Sequence, residues 1–134
     1  MRIGTVLVSL LLLLSSNASA QVRFESPESA LAYYIKSRDA RDLAGLNATL
    51  LEPGDQFNFT DAPPVERFSV VKRIRYTEKR VRDWKRKGIT DPVAVGDIEL
   101  QVREVVGGKS YMYSYNFRET ASGWKIVTWA AWDQ

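Results

Sequence analysis

The chain contains neither cysteine nor histidine, and these two absences exclude more chemistry than any other feature of it. Without cysteine there is no disulfide, no thiol nucleophile and no thiol for lipid attachment. Without histidine there is no Ser–His or Cys–His catalytic system, and no His/Cys metal site. The acidic residues never fall at the spacing of a calcium loop. Glycine-rich phosphate loops are absent too, since Gly107-Gly108 reads as a hairpin turn. No metal and no cofactor is expected. A membrane-spanning run is also missing: Val6–Leu14 is the one long apolar stretch, well short of the ~20 residues a bilayer requires.

That stretch has a different meaning. Met1-Arg2 supplies a positive charge, the apolar run follows, and Ala18-Ser19-Ala20 is an A-x-A cleavage pattern. Together they read as a secretory signal peptide over residues 1–20, cut after Ala20. The expected location is the periplasm or the exterior, and residues 21–134 are expected to form a single domain. Such a domain, exported yet free of disulfides, relies on its apolar core alone.

Charge is segregated. Arg67 to Lys87 holds ten Lys/Arg against two acids, while the rest of 21–134 holds eight basic and fourteen acidic residues. A uniform composition would not separate charge in this way.

In chain order, Ser26-Pro27-Glu28 is a helix start: a capping hydroxyl, a proline at the first helical position and an acid in the first turn. Ala30, Leu31, Tyr34 and Ile35 then recur at helical spacing, predicting a helix from about Pro27 to Arg38. A second, shorter helix capped by Asp39 or Asp42 carries Leu43, Leu46, Leu50 and Leu51, and Pro53-Gly54-Asp55 stops it. Residues 66–76 fit either a strand or a helix by spacing, and their β-branched content favours the strand. Thr77 caps a short helix over Glu78–Lys87, with Val81 and Trp84 inward and Gly88 closing it.

The last forty residues dominate the pattern. Three antiparallel strands are predicted at Asp97–Val106, Ser110–Arg118 and Trp124–Trp132, with alternation that covers one face only. Ile98, Leu100 and Val102 share the core face with the ladder Tyr111, Tyr113, Tyr115 and Phe117. In the last strand, uninterrupted alternation assigns Val127, Trp129 and Ala131 to the opposite, polar face. The fold class is α+β, with N-terminal helices packed on an antiparallel sheet.

The order helix, helix, strand, short helix and three-stranded meander resembles the nuclear transport factor 2-like superfamily, the cystatin-like cone of ketosteroid isomerases, polyketide cyclases and small exported proteins. The residues that carry the resemblance are Ser26–Tyr34, Arg38–Leu43, Val95–Val102 and the closing Gly123-Trp124-Lys125-Ile126. It implies a curved sheet wrapped around helices, with room for a pocket at the open end. It implies no activity, because this fold serves enzymes, binding modules and dimerisation domains alike.

Three groups of residues are candidates for function. Tyr34, Tyr113, Tyr115 and Asp97 are the pocket groups: in the enzymes of this fold, carboxylates and tyrosines inside the cone carry the chemistry, and a carboxyl buried in an apolar pocket would have a raised pKa. The same tyrosines also suit an ordinary packed core, and no acid falls among the assigned core-facing sheet residues. Arg73, Arg75, Lys79, Arg80, Arg82, Lys85 and Arg86 could bind an acidic protein or an anionic surface, or form a solvated face. Nucleic acid is disfavoured by the export signal. Val127, Trp129 and Ala131 are the candidate homodimer contact. The resulting expectation is a non-enzymatic exported domain that binds a small apolar ligand or a partner protein, with a small pocket enzyme of isomerase or cyclase type as the alternative.

Overall fold

A computed structural model describes residues 22–57, 59, 63–90 and 92–132. The signal-peptide reading concerns residues outside this set. Helix α1 (Pro27–Asp39) and helix α2 (Leu43–Ala48) come first, then strand β1 (Arg67–Arg75), helix α3 (Glu78–Arg86) and strands β2 (Ile98–Val106), β3 (Lys109–Thr120) and β4 (Gly123–Ala131). The strands form one open antiparallel sheet in the order β1-β2-β3-β4. The protein is therefore α+β, as its patterning predicts. Among the described residues no helix is long and apolar enough to cross a membrane.

Helix α1 begins where the cap is written. The Ser26 hydroxyl accepts the Ser29 amide at 3.1 Å, and the Ser29 hydroxyl accepts the Ser26 amide at 3.2 Å, satisfying two otherwise unpaired donors. Its buried residues Ala30, Leu31, Tyr34 and Ile35 pack against Ile98, Leu100, Val102, Tyr115, Phe117 and Ile126 in a single core. Arg41 turns the chain with φ 55°, and Asp42 then caps α2 by accepting the Gly45 amide at 3.0 Å.

Helix α2 is shorter than its leucine spacing predicts. Leu50 lies in a parallel bridge to Ile126, the Thr49 carbonyl accepts the Ile126 amide and the Leu51 amide reaches the Ile126 carbonyl. Phe24 makes a similar bridge to Gly123. β4 is an edge strand with unpaired backbone groups, and these two segments cover its first half.

β1 is a strand, and two bulges set which side chains share a face. One lies between Val70 and Lys72 in β1, the other opposite Asn116/Phe117 at the β3–β4 pairing. A bulge inserts one residue and reverses the alternation beyond it. Phe68 and Val70 therefore lie on the helix-covered face, whereas Ile74 pairs with Glu99 on the opposite one. That opposite face is not bare: Tyr76 and Arg80, at the base of α3, both bond Glu99. Glu99, expected on a solvated face, is consequently buried.

Candidate functional site

The core is filled at the N-terminal end of α1 and open at its C-terminal end. There a cavity of about 550 Å³ lies between the helix, the β2–β3 hairpin, the end of β4 and the residues Phe57, Phe59, Pro63, Pro64 and Val65. Its volume falls within the range of small-molecule sites.

Three of the predicted pocket residues meet in it. Tyr34, Tyr113 and Tyr115 all line the cavity. Asp97 does not. On a strand rise of about 3.3 Å per residue it stands roughly 23 Å from the cavity carboxylate along β2. There it receives Arg118 at both oxygens, at 2.9 and 3.0 Å, and the Ala94 amide at 2.9 Å. It organises the entry into β2.

The acid of the cavity is Glu104. It continues the sequence Ile98, Leu100, Val102 at a period of two, opposite Tyr111 in β3, and so it projects from the core face with only 1% of its surface exposed. This corrects the expectation that no acid lies on that face; the alternation contains the signal, one step beyond the last apolar residue. Arg38 donates to Glu104 Oε1 at 2.8 Å, and the Tyr115 hydroxyl donates to Oε2 at 2.8 Å. The Arg38 guanidinium also sits 5.6 Å from the Tyr34 ring centroid.

Trp129 belongs to the same site. Because of the bulge it pairs with Tyr115, and Ala131 pairs with Tyr113, on the helix-covered face. Their placement with Val127 in a patch on the polar face is therefore corrected: uninterrupted alternation cannot foresee an inserted residue. Trp129 lies 5.9 Å from Tyr34 and 6.4 Å from Phe57, whose ring is 5.0 Å from Phe59. These offset aromatic contacts make a continuous wall.

The electrostatics follow from this packing. Burial disfavours the charge of Arg38, but its hydrogen bond to Glu104 and the carboxylate charge outweigh burial, so the guanidinium is held protonated more firmly than usual. Burial pushes the Tyr115 phenol up, reinforced by Glu104, and burial likewise raises Tyr34 and Tyr113. On the other face burial, with Glu99 beside it, raises Tyr76 to about 12. A phenol whose folded pKa is raised holds its proton after the unfolded chain has lost it, so its stabilisation is complete below pH ~10 and is lost above. Unfolding free energy measured in urea is therefore expected to fall from pH ~10 towards pH ~12. Stability unchanged across that window would contradict the burial of these hydroxyls.

The basic segment divides. Arg80 turns inward, bonding Glu99 at 3.1 Å and lying 4.9 and 5.8 Å from the Tyr76 and Trp84 ring centroids. Arg73 pairs with Glu28, and Lys79 with Asp83. Arg75, Arg82, Lys85 and Arg86 are exposed.

No family model, curated protein or solved structure matches this chain. The site has to be interpreted from its own geometry.

Proposed function

We propose that the domain binds a small, largely apolar ligand in the cavity at the C-terminal end of α1. The observation that carries this reading is a cavity of about 550 Å³ walled by Tyr34, Phe57, Phe59, Tyr113 and Trp129 over one buried polar cluster. Aromatic walls with a few convergent polar groups are what a small-molecule site needs. The arrangement also suits the cone of the nuclear transport factor 2-like superfamily, of which we propose the chain is an exported member. Helices cover one sheet face, the meander follows, and two bulges allow the strands to bend.

Binding is favoured over catalysis by the hydrogen bonding of Glu104. Both of its oxygens are already engaged, Oε1 by the Arg38 guanidinium and Oε2 by the Tyr115 hydroxyl, so the carboxyl group orients its neighbours and presents no free oxygen to a substrate. One observation keeps the enzyme as the second reading: the carboxylate does line the cavity, beside Tyr34 and Tyr113.

Native mass spectrometry of the purified protein, with titration of a neutral two-ring aromatic probe, tests the first reading. Trp129→Ala should retain the fold by circular dichroism and weaken the probe by roughly tenfold, the scale of one lost aromatic wall. A wild-type protein that binds no probe and retains no ligand would refute it. A retained molecule converted to a new product by the wild type, but not by Glu104→Gln, would establish the enzyme instead.

A further inference from the structure

We infer that two copies of the chain pair through the uncovered half of β4, antiparallel about a twofold axis at Ala130. This goes beyond ligand binding and stands whether or not the cavity is filled.

Phe24 and Leu50 cover the first half of the β4 edge, at Gly123 and Ile126. The second half has no such cover. The Trp132 amide donates to the Met112 carbonyl of β3 at 2.9 Å, so alternation turns the backbone groups of Ala131 and Trp129 outward. Among the described residues neither has a backbone partner on that side. Trp129, Ala130, Ala131 and Trp132 are all exposed, the two tryptophans by 41% and 43%. Edges are ordinarily defended by charge, proline or a bulge. Ile126 to Trp132 contains no charge and no proline, and the bulge opposite Asn116/Phe117 precedes the free part.

A second copy suits this edge in both charge and size. With Ala130 on the axis, Trp129 faces the partner's Ala131, and their outward backbone groups exchange both hydrogen bonds. Ala130 meets its twin at the closer spacing of about 4.5 Å between Cα atoms, where a small side chain fits. Thr128 opposes the partner's Trp132, so large side chains meet small ones on both faces. The two Trp129 side chains become diagonal neighbours at about 7–8 Å, within aromatic reach, and each cavity wall backs on the other. The β1 edge offers no such match: Arg67, Lys72, Arg73 and Arg75 would meet their own kind, and opposed like charges destabilise pairing. The contact is short beside a standard interface of about 1,600 Å², so the dimer is weak and depends on concentration.

Sedimentation velocity of the purified protein from about 5 µM to about 1 mM should show a dimer that grows with concentration. Ala130→Lys and Ala130→Glu, at an exposed position, each set like charges across the axis and should each weaken the dimer at least about fivefold. An equimolar mixture of the two variants should regain wild-type association, because opposite charges then face each other. Hydrogen exchange of the wild type provides a readout without substitution. The Trp129 and Ala131 amides should slow as the protein is concentrated, and the outward Arg75 amide of β1 should not. A monomer at every concentration would overturn the inference and leave this edge to a strand of another protein. Either Ala130 variant pairing as tightly as the wild type would overturn it too. So would a mixture that stays monomeric, or exchange at Trp129 and Ala131 that ignores concentration.

Discussion

Glu104→Ala is expected to lower the unfolding free energy by about 3–5 kcal/mol, the scale for removing one partner of a buried ion pair. Its carboxylate is 1% exposed and its partners are close: Arg38 at 2.8 Å and the Tyr115 hydroxyl at 2.8 Å. Alanine leaves the guanidinium without its counter-charge and a buried phenol without its acceptor, and an unsatisfied buried group costs far more than a net hydrogen bond contributes. For a domain of this size that is a large part of the total margin of 5–15 kcal/mol. Equilibrium urea denaturation measures it directly. Glu104→Gln keeps an acceptor but not the charge, and should fall between. The triple change Glu104→Leu, Arg38→Met, Tyr115→Phe removes every member of the cluster together and should recover most of the loss, because a well-packed apolar replacement of a buried pair is often neutral. A Glu104→Ala loss below about 1 kcal/mol would mean that solvent in the cavity replaces the carboxylate at little cost. The exposed Lys79–Asp83 pair makes the contrast, and its removal is expected to change stability little.

The second large effect is expected at Gly123. Its φ is +105°, and an added Cβ would lie 2.7 Å from the Phe24 carbonyl oxygen and 2.8 Å from the Phe24 nitrogen. Those are backbone atoms of the bridge in which the Trp124 amide donates to Phe24 at 2.9 Å, so relief requires the N-terminal segment to leave the edge of β4. Gly123→Ala should therefore incur both the conformational penalty of roughly 1–3 kcal/mol and the cost of parting that bridge. Gly108→Ala is the control: its φ is +77°, with nothing within 4 Å of the added Cβ. Thermal unfolding should show Gly123→Ala as the more damaging by at least about 1 kcal/mol, with faster amide exchange at Trp124. Equal losses would show that the Phe24 segment yields freely.

The elements themselves were legible. Ser26-Pro27-Glu28, Asp42 and Thr77 each start the helix they announce, because a cap is a local interaction between a side chain and amides two or three residues on. The tyrosine ladder was legible for a similar reason: alternation places side chains without reference to any other strand. Glu104 obeys the same rule, but a charged side chain at that position reads as solvent-facing unless its partner is known. Its burial depends on Arg38, a residue 66 positions away, and no local pattern joins the two.

Trp129 shows the other kind of limit. Its face depends on one inserted residue opposite Asn116/Phe117, a property of pairing between two strands that neither strand records alone. Glu99 is similar, since period two places it on the right face while only the docking of Tyr76 and Arg80 makes that face a buried one. By itself, then, the sequence determined the α+β class, the order of the elements, the caps and the core ladder, all set by interactions between near neighbours in the chain. The tertiary structure decided where the cavity lies, which acid enters it and which aromatic residues wall it. Those depend on bulges and ion pairs that exist only once distant segments are packed together.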